Sequence, residues 1–202
     1  MLSMQAQMNA KVNPNWIDAG YPFLRAIVIE GAEAIEHHGW KWWKAQQKDM
    51  AQLQMELIDI WHFTLSAVIV SNDGNLDASA DDLMVRMLSV SNILEFDGRN
   101  YAIDFMETVS KIEFMIGLSV SRRISIDLFQ ALLADCDMTW DDLYCQYVGK
   151  NVLNFFRQDH GYKQGTYRKE WAGRNDTCYT IGELMEKHPE LRNEFPALGK
   201  SM

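Results

Sequence analysis

Helical periodicity runs through most of this chain, whereas the apolar–polar alternation of a half-buried β-strand is nearly absent. Near the N-terminus, for example, Met4, Met8 and Val12 fall at i, i+4 and i+8. Strong stop signals, such as Gly39 and a turn at residues 72–74, divide the pattern into segments joined by short connections. We therefore predict an all-α fold, a bundle of six or more helices.

Two sequences resemble capping boxes, in which a Ser or Thr and an acidic residue three positions later close the first turn of a helix. Thr139 with Asp142 is expected to open a long helix. Ser79 with Asp82 is expected to open a helix over residues 83–94.

The chain has 202 residues, which fits one domain. We place that domain at residues 1–188 and expect residues 189–202 to form a loose tail, since Pro189 follows the last helical pattern. No apolar run reaches the roughly 18 residues that cross a bilayer, so we expect no membrane association.

Charge and cysteine content narrow the choice of partners. The formal net charge of −9 argues against a general nucleic-acid binder, which needs Lys and Arg to neutralise phosphates. Three cysteines, an odd number without a CxxC pair, are typical of reduced thiols. We therefore expect a cytoplasmic protein that does not bind nucleic acid.

Two pairs of acidic residues lie in otherwise apolar helical segments. Glu30 and Glu33 form one pair and Glu56 and Asp59 the other, each at i, i+3 and so on one helix face. Four carboxylates converging in a partly dry site would be costly unless cations neutralised them. Oxygen ligands without cysteine favour Mg²⁺, Mn²⁺ or Ca²⁺ over zinc. The plainer alternative is that both pairs are solvated surface charges.

A basic segment lies far along the chain from these acids. Residues 146–175 contain six Lys or Arg and two acidic residues, and Lys150, Asn154 and Arg157 share one helix face at i, i+4 and i+7. A magnesium triphosphate requires carboxylates for its metal and Lys or Arg for its phosphate oxygens. A solvated loop with unrelated charges is the alternative.

Residues 40–44 read Trp-Lys-Trp-Trp-Lys. Such a segment can stack on a base and contact phosphate, although tryptophan more often covers a core, and we expect at least two of the three to be core residues. His62, three residues after Asp59, borders the acidic face. It either orients a ligand or is a core histidine with satisfied hydrogen bonds.

Three segments together resemble the dimeric, all-α dUTPase family, which is related to the MazG-like nucleotide pyrophosphohydrolases. They are Glu30-x-x-Glu33 with Trp40-Lys41-Trp42-Trp43-Lys44, then Glu56 through Phe63, and then Lys150 through Arg157 continuing to Trp171. The first two fit the wider superfamily, and the third favours the dUTPase branch. The resemblance implies an all-α NTP pyrophosphatase fold, a homodimer, and hydrolysis of dUTP to dUMP and pyrophosphate.

The resemblance also implies roles for individual residues. Two or more Mg²⁺ ions, or Mn²⁺ in their place, would be held by Glu30, Glu33, Glu56 and Asp59. A metal-activated water would attack the α-phosphorus, with Glu33 positioning that water and Glu36 supporting the cluster. Gln5 and Asn9 would read the uracil, with Trp43 and His62 near the base and sugar. The phosphates would be held by Lys150, Asn151, Arg157, Tyr162, Lys163 and Lys169.

The sequence departs from the family after Trp171. The family usually continues with an acidic residue and Asp-Asn, where this chain has Arg174-Asn175-Asp176. The role of these three residues therefore stays open at this point.

Three other functions remain to be weighed. A broader (d)NTP pyrophosphohydrolase of the same fold is the close alternative. A di-iron carboxylate protein would need two Glu-x-x-His motifs, whereas only Asp59-x-x-His62 is present. A non-catalytic helical interaction module is suggested by the twelve methionines.

Overall fold

The computed structural model describes residues 1–89, 91–171 and 173–178. Seven α-helices dominate these ranges: α1 Leu2–Val12, α2 Phe23–His38, α3 Met50–Ser71, α4 Leu76–Leu88, α5 Thr108–Val120, α6 Ile126–Asp135 and α7 Trp140–Asp159. The prediction of an all-α bundle with six or more helices is confirmed. The predicted domain boundary at residue 188 and the predicted loose tail, 189–202, lie outside the described residues.

Two short antiparallel hairpins accompany the helices. β1 (Ile93–Phe96) pairs with β2 (Arg99–Ala102), and β3 (Glu170–Trp171) pairs with β4 (Arg174–Asn175). Asp97 and Gly98 form the first turn, both at positive φ. An Asp-Gly pair is a strong hairpin signal, but the flanking strands are too short to show a clear alternation.

The central element is α3, which contacts α1, α2, α4, α6 and α7. Its side chains are apolar on several faces, and Leu53, Leu57 and Ile58 are fully buried. By length and composition alone α3 is a candidate to cross a membrane, yet 67% of its most apolar 18-residue window is buried inside the protein. It therefore packs as a core helix, as helices that are apolar all round do.

The long neighbour of α3 is α2, which also packs along α5. A Cβ placed on Gly31 would lie 2.7 Å from Cγ1 of Ile116 in α5, so only glycine permits this close approach. Gly31 lies between Glu30 and Glu33 in sequence, and the packing therefore fixes the helix that carries both acids.

Helix caps agree with the sequence in part. The predicted capping box of Thr139 and Asp142 is present at the start of α7. The helix predicted for residues 83–94 is wrong at both ends. Asn75, rather than Ser79, caps α4, because its side chain accepts hydrogen bonds from two backbone N–H groups of the first turn, at 3.1 and 3.0 Å. The helix then ends at Leu88.

Candidate active site

Three of the four predicted carboxylates meet between α2 and α3. One carboxylate oxygen each from Glu30, Glu33 and Glu56 lies within 4.8 Å of the other two. Glu56 is buried, Glu30 is half-buried and Glu33 is exposed. The i, i+3 spacing puts two acids on the face of α2 that α3 packs against, and the cluster follows from that packing.

The fourth carboxylate, Asp59, lines the same cleft but is engaged by a lysine. Lys150 of α7 donates a hydrogen bond from Nζ to Oδ2 of Asp59 over 2.9 Å, and both side chains are largely buried. The acidic cluster is thus bordered by a cation of its own chain.

Crowding of the acids changes their acid–base behaviour. Burial, followed by the charges of Asp59, Glu56 and Glu33, raises the pKa of Glu30 to about 8. Burial and the charge of Asp59 raise the pKa of Glu56 to about 7. At neutral pH Glu30 therefore keeps a proton, which it shares in a hydrogen bond with Glu56.

These carboxylates fit a hard divalent cation. The donor atoms are all oxygens, close enough to share one ion, and their mutual repulsion is what a cation would relieve. Such a set favours Mg²⁺ or Mn²⁺ over metals that prefer sulfur or nitrogen.

His37 adds a contact to the cluster that the sequence analysis did not assign. Its Nε2 lies 3.4 Å from Oε1 of Glu56. The spacing contained the signal, because His37 follows Glu33 by four residues and so lies on the same face of α2. It joins the end of α2 to the buried acid of α3.

A cleft of about 570 Å³ opens beside the acids. Eight of the predicted site residues line it: Glu30, Glu33, Glu56, Asp59, Lys150, Arg157, Tyr162 and Lys169. Six more lining residues were not predicted to bind substrate: Gln52, Met55, Phe63, Asn154, Asn175 and Thr177. The first three lie on α3 within a turn or two of its acids, so helical spacing would have found them.

The two faces of this cleft differ in charge. α2 and α3 present carboxylates. α7 presents Lys150 and Asn154, and the residues in and beside the hairpin β3–β4 present Lys169, Asn175 and Thr177. Arg157 is part of the second face, but its Nε and Nη2 both donate to Asp176, at 2.8 Å each.

The amides predicted to read the base lie in a buried network rather than among the cleft-lining residues. Gln5 Oε1 accepts hydrogen bonds from Nδ1 of His62 (2.7 Å) and from the hydroxyl of Tyr147 (3.0 Å). Gln5 Nε2 donates to Asn9 Oδ1 over 3.0 Å, and Asn9 donates to Ser66. Sequence reasoning missed Tyr147 and Ser66, which belong to distant helices.

His62 is buried and stacks on Tyr147, with ring centroids 4.3 Å apart. Burial, helped by the charge of Lys150, lowers its pKa to about 3, so the ring is neutral. Since Nδ1 donates to Gln5, Nε2 is an acceptor, and no described residue donates to it. Asn151 donates to Tyr147 and likewise has a buried Oδ1 without a described partner.

Two predicted site residues lie apart from both groups. Lys163 donates from Nζ to the backbone oxygen of Val12 over 2.7 Å, which ties the segment after α7 to the end of α1. Trp43 lies in the loop after α2, and more than half of its side chain is exposed.

The expectation that at least two tryptophans of residues 40–44 are core residues is wrong. Trp40, Trp42 and Trp43 are all exposed, Trp42 by 89%. Their rings pack edge-to-face on one another, at 5.2 and 5.3 Å. Glu36 fastens the loop to α2 by accepting hydrogen bonds from the Trp40 indole and the Lys41 ammonium.

The chain matches a known protein family. A family model described as dUTPase matches residues 1–162, whereas a search of curated proteins found no match. The matched stretch includes the seven helices of the described residues and both acidic pairs, and it ends before β3. Because helices and carboxylates are matched together, the chain belongs to the all-α dUTPase family, whose members are metal-dependent nucleotide diphosphohydrolases.

Proposed function

We propose that this enzyme hydrolyses dUTP to dUMP and pyrophosphate in the cleft between α2, α3 and α7. The observation that carries the proposal is the opposition of two unlike faces across one cleft, three clustered carboxylates facing lysines and amides. A metal-bound triphosphate has the complementary charges, cationic towards the acids and anionic towards the lysines.

The acidic face is the proposed metal site. Glu30, Glu33, Glu56 and Asp59 would hold two or more Mg²⁺ ions, and Mn²⁺ would serve in their place. When bound, the metal supplies positive charge to the phosphate oxygens and makes water more acidic. His37, in contact with Glu56, keeps that carboxylate oriented towards the cleft.

Glu33 is the residue proposed to act on the attacking water. It is the exposed member of the cluster, so its carboxylate is open to solvent at the edge of the cleft. It would orient a water towards the α-phosphorus and accept its proton. The bond from the α-phosphorus to the bridging oxygen breaks, and pyrophosphate leaves with that oxygen.

The opposite face would bind the phosphates. Lys150 lies where the two faces meet, and on substrate binding its ammonium would exchange Asp59 for a phosphate oxygen. Lys169 and Tyr162 line the cleft beyond it. These three side chains give the proposed triphosphate site its positive and hydrogen-bonding character.

Uracil recognition is proposed for the network of Gln5, Asn9 and His62. Uracil and cytosine differ by exchanging a hydrogen-bond donor for an acceptor at one edge. A reader of that edge must therefore keep its own donors and acceptors in a fixed orientation. The two hydrogen bonds accepted by Gln5 Oε1 supply such an orientation.

A broader (d)NTP pyrophosphohydrolase is the second candidate. It is favoured by one observation, that Gln5 and Asn9 do not line the cleft beside the acids. Release of pyrophosphate should be measured from dUTP, dCTP, dTTP and UTP with Mg²⁺ present and absent. Preference for dUTP that needs Mg²⁺ supports the proposal, whereas equal rates on all four favour the broader activity.

We further propose that the enzyme is a homodimer. Several large apolar side chains are exposed in the single chain, including Ile29 on α2, Leu88 on α4 and Phe105. Large exposed apolar side chains are typical of surfaces that meet a partner. Light scattering after gel filtration tests this, and a mass of one chain at micromolar concentration would contradict it.

A further inference from the structure

The last described segment of the chain is joined to α7 by one buried ion pair. Arg157 donates from Nε and Nη2 to the two carboxylate oxygens of Asp176, at 2.8 Å each. Asp176 is fully buried and Arg157 nearly so. The hydroxyl of Tyr167 donates a third hydrogen bond to Asp176 over 2.8 Å.

Asp176 is ionised, and its carboxylate accepts three hydrogen bonds. Burial alone would raise its pKa, but the hydrogen bonds from Arg157 and Tyr167 outweigh burial and hold the pKa below its ordinary value. Both planar groups meet in the bidentate arrangement that fixes relative orientation as well as distance. Arg157 donates two of its five N–H groups to Asp176, and a third lies 3.4 Å from Oδ1 of Asn154.

The residues around Asp176 connect this pair to the cleft. The backbone N–H of Asp176 donates to the carbonyl of Lys169 over 2.7 Å, which closes the hairpin β3–β4. Asn175 and Thr177, its two chain neighbours, line the cleft, as does Lys169. Fixing Asp176 thus fixes three side chains that face the carboxylates.

We propose that Asp176 is a positioning residue for triphosphate binding, anchored on α7 by its ion pair with Arg157. Through this pair the hairpin presents Lys169, Asn175 and Thr177 to the phosphates. This also assigns a role to the segment in which the sequence departs from the family pattern. Asp176 lies beyond the matched residues, 1–162, so the assignment rests on the contacts alone.

Aromatic contacts beside the ion pair allow the pair to be tested without detaching the segment from α7. Trp171 packs edge-to-face on Phe156 of α7, with ring centroids 5.2 Å apart, and Tyr167 packs on Phe156 at 6.0 Å. These contacts retain the hairpin near α7 when the ion pair is weakened. Loss of the pair should therefore shift the hairpin relative to α7 without detaching it.

The test compares Asp176→Asn with a matched control, Asp135→Asn. Asp135 accepts two hydrogen bonds from buried Lys111, at 2.7 and 2.8 Å, and joins α5 to α6 away from the cleft. For each variant, KM and kcat for dUTP, affinity for inorganic pyrophosphate with Mg²⁺ by calorimetry, and the thermal unfolding midpoint are measured. Both variants should unfold at lower temperature.

Asp176→Asn should raise KM and weaken pyrophosphate binding by about tenfold or more, with a smaller change in kcat, because misplaced groups bind phosphate poorly. Asp135→Asn should leave both binding constants unchanged. The proposal is overturned if pyrophosphate binds Asp176→Asn as tightly as the wild type, or more tightly.

Equal binding losses in both variants would overturn the proposal too, because they would reflect stability alone. Should Asp176→Asn not fold, Tyr167→Phe removes one of the three hydrogen bonds and keeps the ring. It should weaken pyrophosphate binding by a smaller factor, and unchanged binding contradicts the proposal. The inference rests on the proposed function in taking this cleft as the triphosphate site. Failure of the wild type to cleave dUTP would contradict the proposed function. Pyrophosphate binding would still test the positioning role of Asp176.

Discussion

Lys150 of α7 and Asp59 of α3 are joined by a hydrogen bond of 2.9 Å at the point where the acidic and basic faces of the cleft meet. The two residues are 91 positions apart in sequence, so only the fold brings them together. The ammonium also stabilises the charged form of Glu56 and counters the rise of its pKa. Lys150 thus neutralises part of the acidic cluster before any substrate is present.

Replacing Lys150 with Met should separate metal binding from nucleotide binding. Binding of Mn²⁺ without nucleotide should become tighter, because the lysine no longer competes for Asp59, while KM for dUTP should rise. Calorimetry with Mn²⁺ and steady-state kinetics measure the two effects. Lys11→Met is the control, since Lys11 pairs with Asp159 and does not line the cleft. Parallel weakening of both ligands would contradict the competition.

Glu56→Gln should abolish hydrolysis and stabilise the metal-free protein at the same time. Activity should fall by about a hundredfold or more, since a proposed ligand of the metal that stabilises the phosphate charge is lost. The metal-free unfolding midpoint should rise by a few degrees, because the burial of a charge and its repulsion from Asp59 are relieved. Glu113→Gln, at an exposed position of α5, is the control for both readouts. A less stable Glu56→Gln protein would argue against the repulsion.

The metal-free protein should lose stability as pH rises from about 5 to above 8. The pKa values of Glu30 and Glu56, about 8 and about 7 in the fold, exceed their ordinary value of 4.5. The folded state therefore binds these protons more tightly than the unfolded state. The resulting stabilisation is complete below 4.5 and is lost as pH rises through 7 to 8.

Thermal unfolding in a chelator across this pH range measures the loss. Saturating Mg²⁺ should remove the pH dependence, since the cation neutralises the same carboxylates. Glu30→Gln should flatten the metal-free curve as well. A wild-type curve that is flat from pH 5 to 8.5 in chelator would show that the carboxylates do not repel one another.

Much of the acidic site was predictable from short-range spacing. An i, i+3 pair on an apolar helix must face a neighbour, and two such helices in succession tend to pack together, so Glu30, Glu33 and Glu56 meet as expected. His37 follows Glu33 by four residues and so obeys the same rule. Local spacing predicts these contacts because residues three or four positions apart lie on the same helix face and so meet the same neighbour.

The other parts of the site depend on contacts that no local pattern encodes. Arg157 and Asp176 are 19 residues apart, and either alone is an ordinary charged residue. The tryptophans of residues 40–44 were predicted to be core residues because large aromatic side chains are usually buried. A side chain in a loop is buried, however, only where another element covers it. In the single chain the three rings cover one another instead.

Tyr147→Phe should reduce the discrimination between dUTP and dCTP. The Tyr147 hydroxyl donates to Gln5 Oε1 and holds the amide so that its N–H groups point towards Asn9 and away from the tyrosine. Without the hydroxyl, the free energy that favours this orientation falls by about 0.5–1.5 kcal/mol. A flipped amide presents an oxygen where an N–H stood. That oxygen can accept a hydrogen bond from the amino group of cytosine.

The ratio of kcat/KM for dUTP to that for dCTP is the quantity to measure, and it should fall by up to about tenfold. The rate on dUTP itself should change little, because Tyr147 lies outside the group of residues that line the acidic cleft. Tyr144→Phe, an exposed position one turn earlier on α7, controls for loss of a hydroxyl. An unchanged ratio in Tyr147→Phe would show that the buried network does not select the base. The hydroxyl through which α7 orients Gln5 would then have no effect on which base is bound.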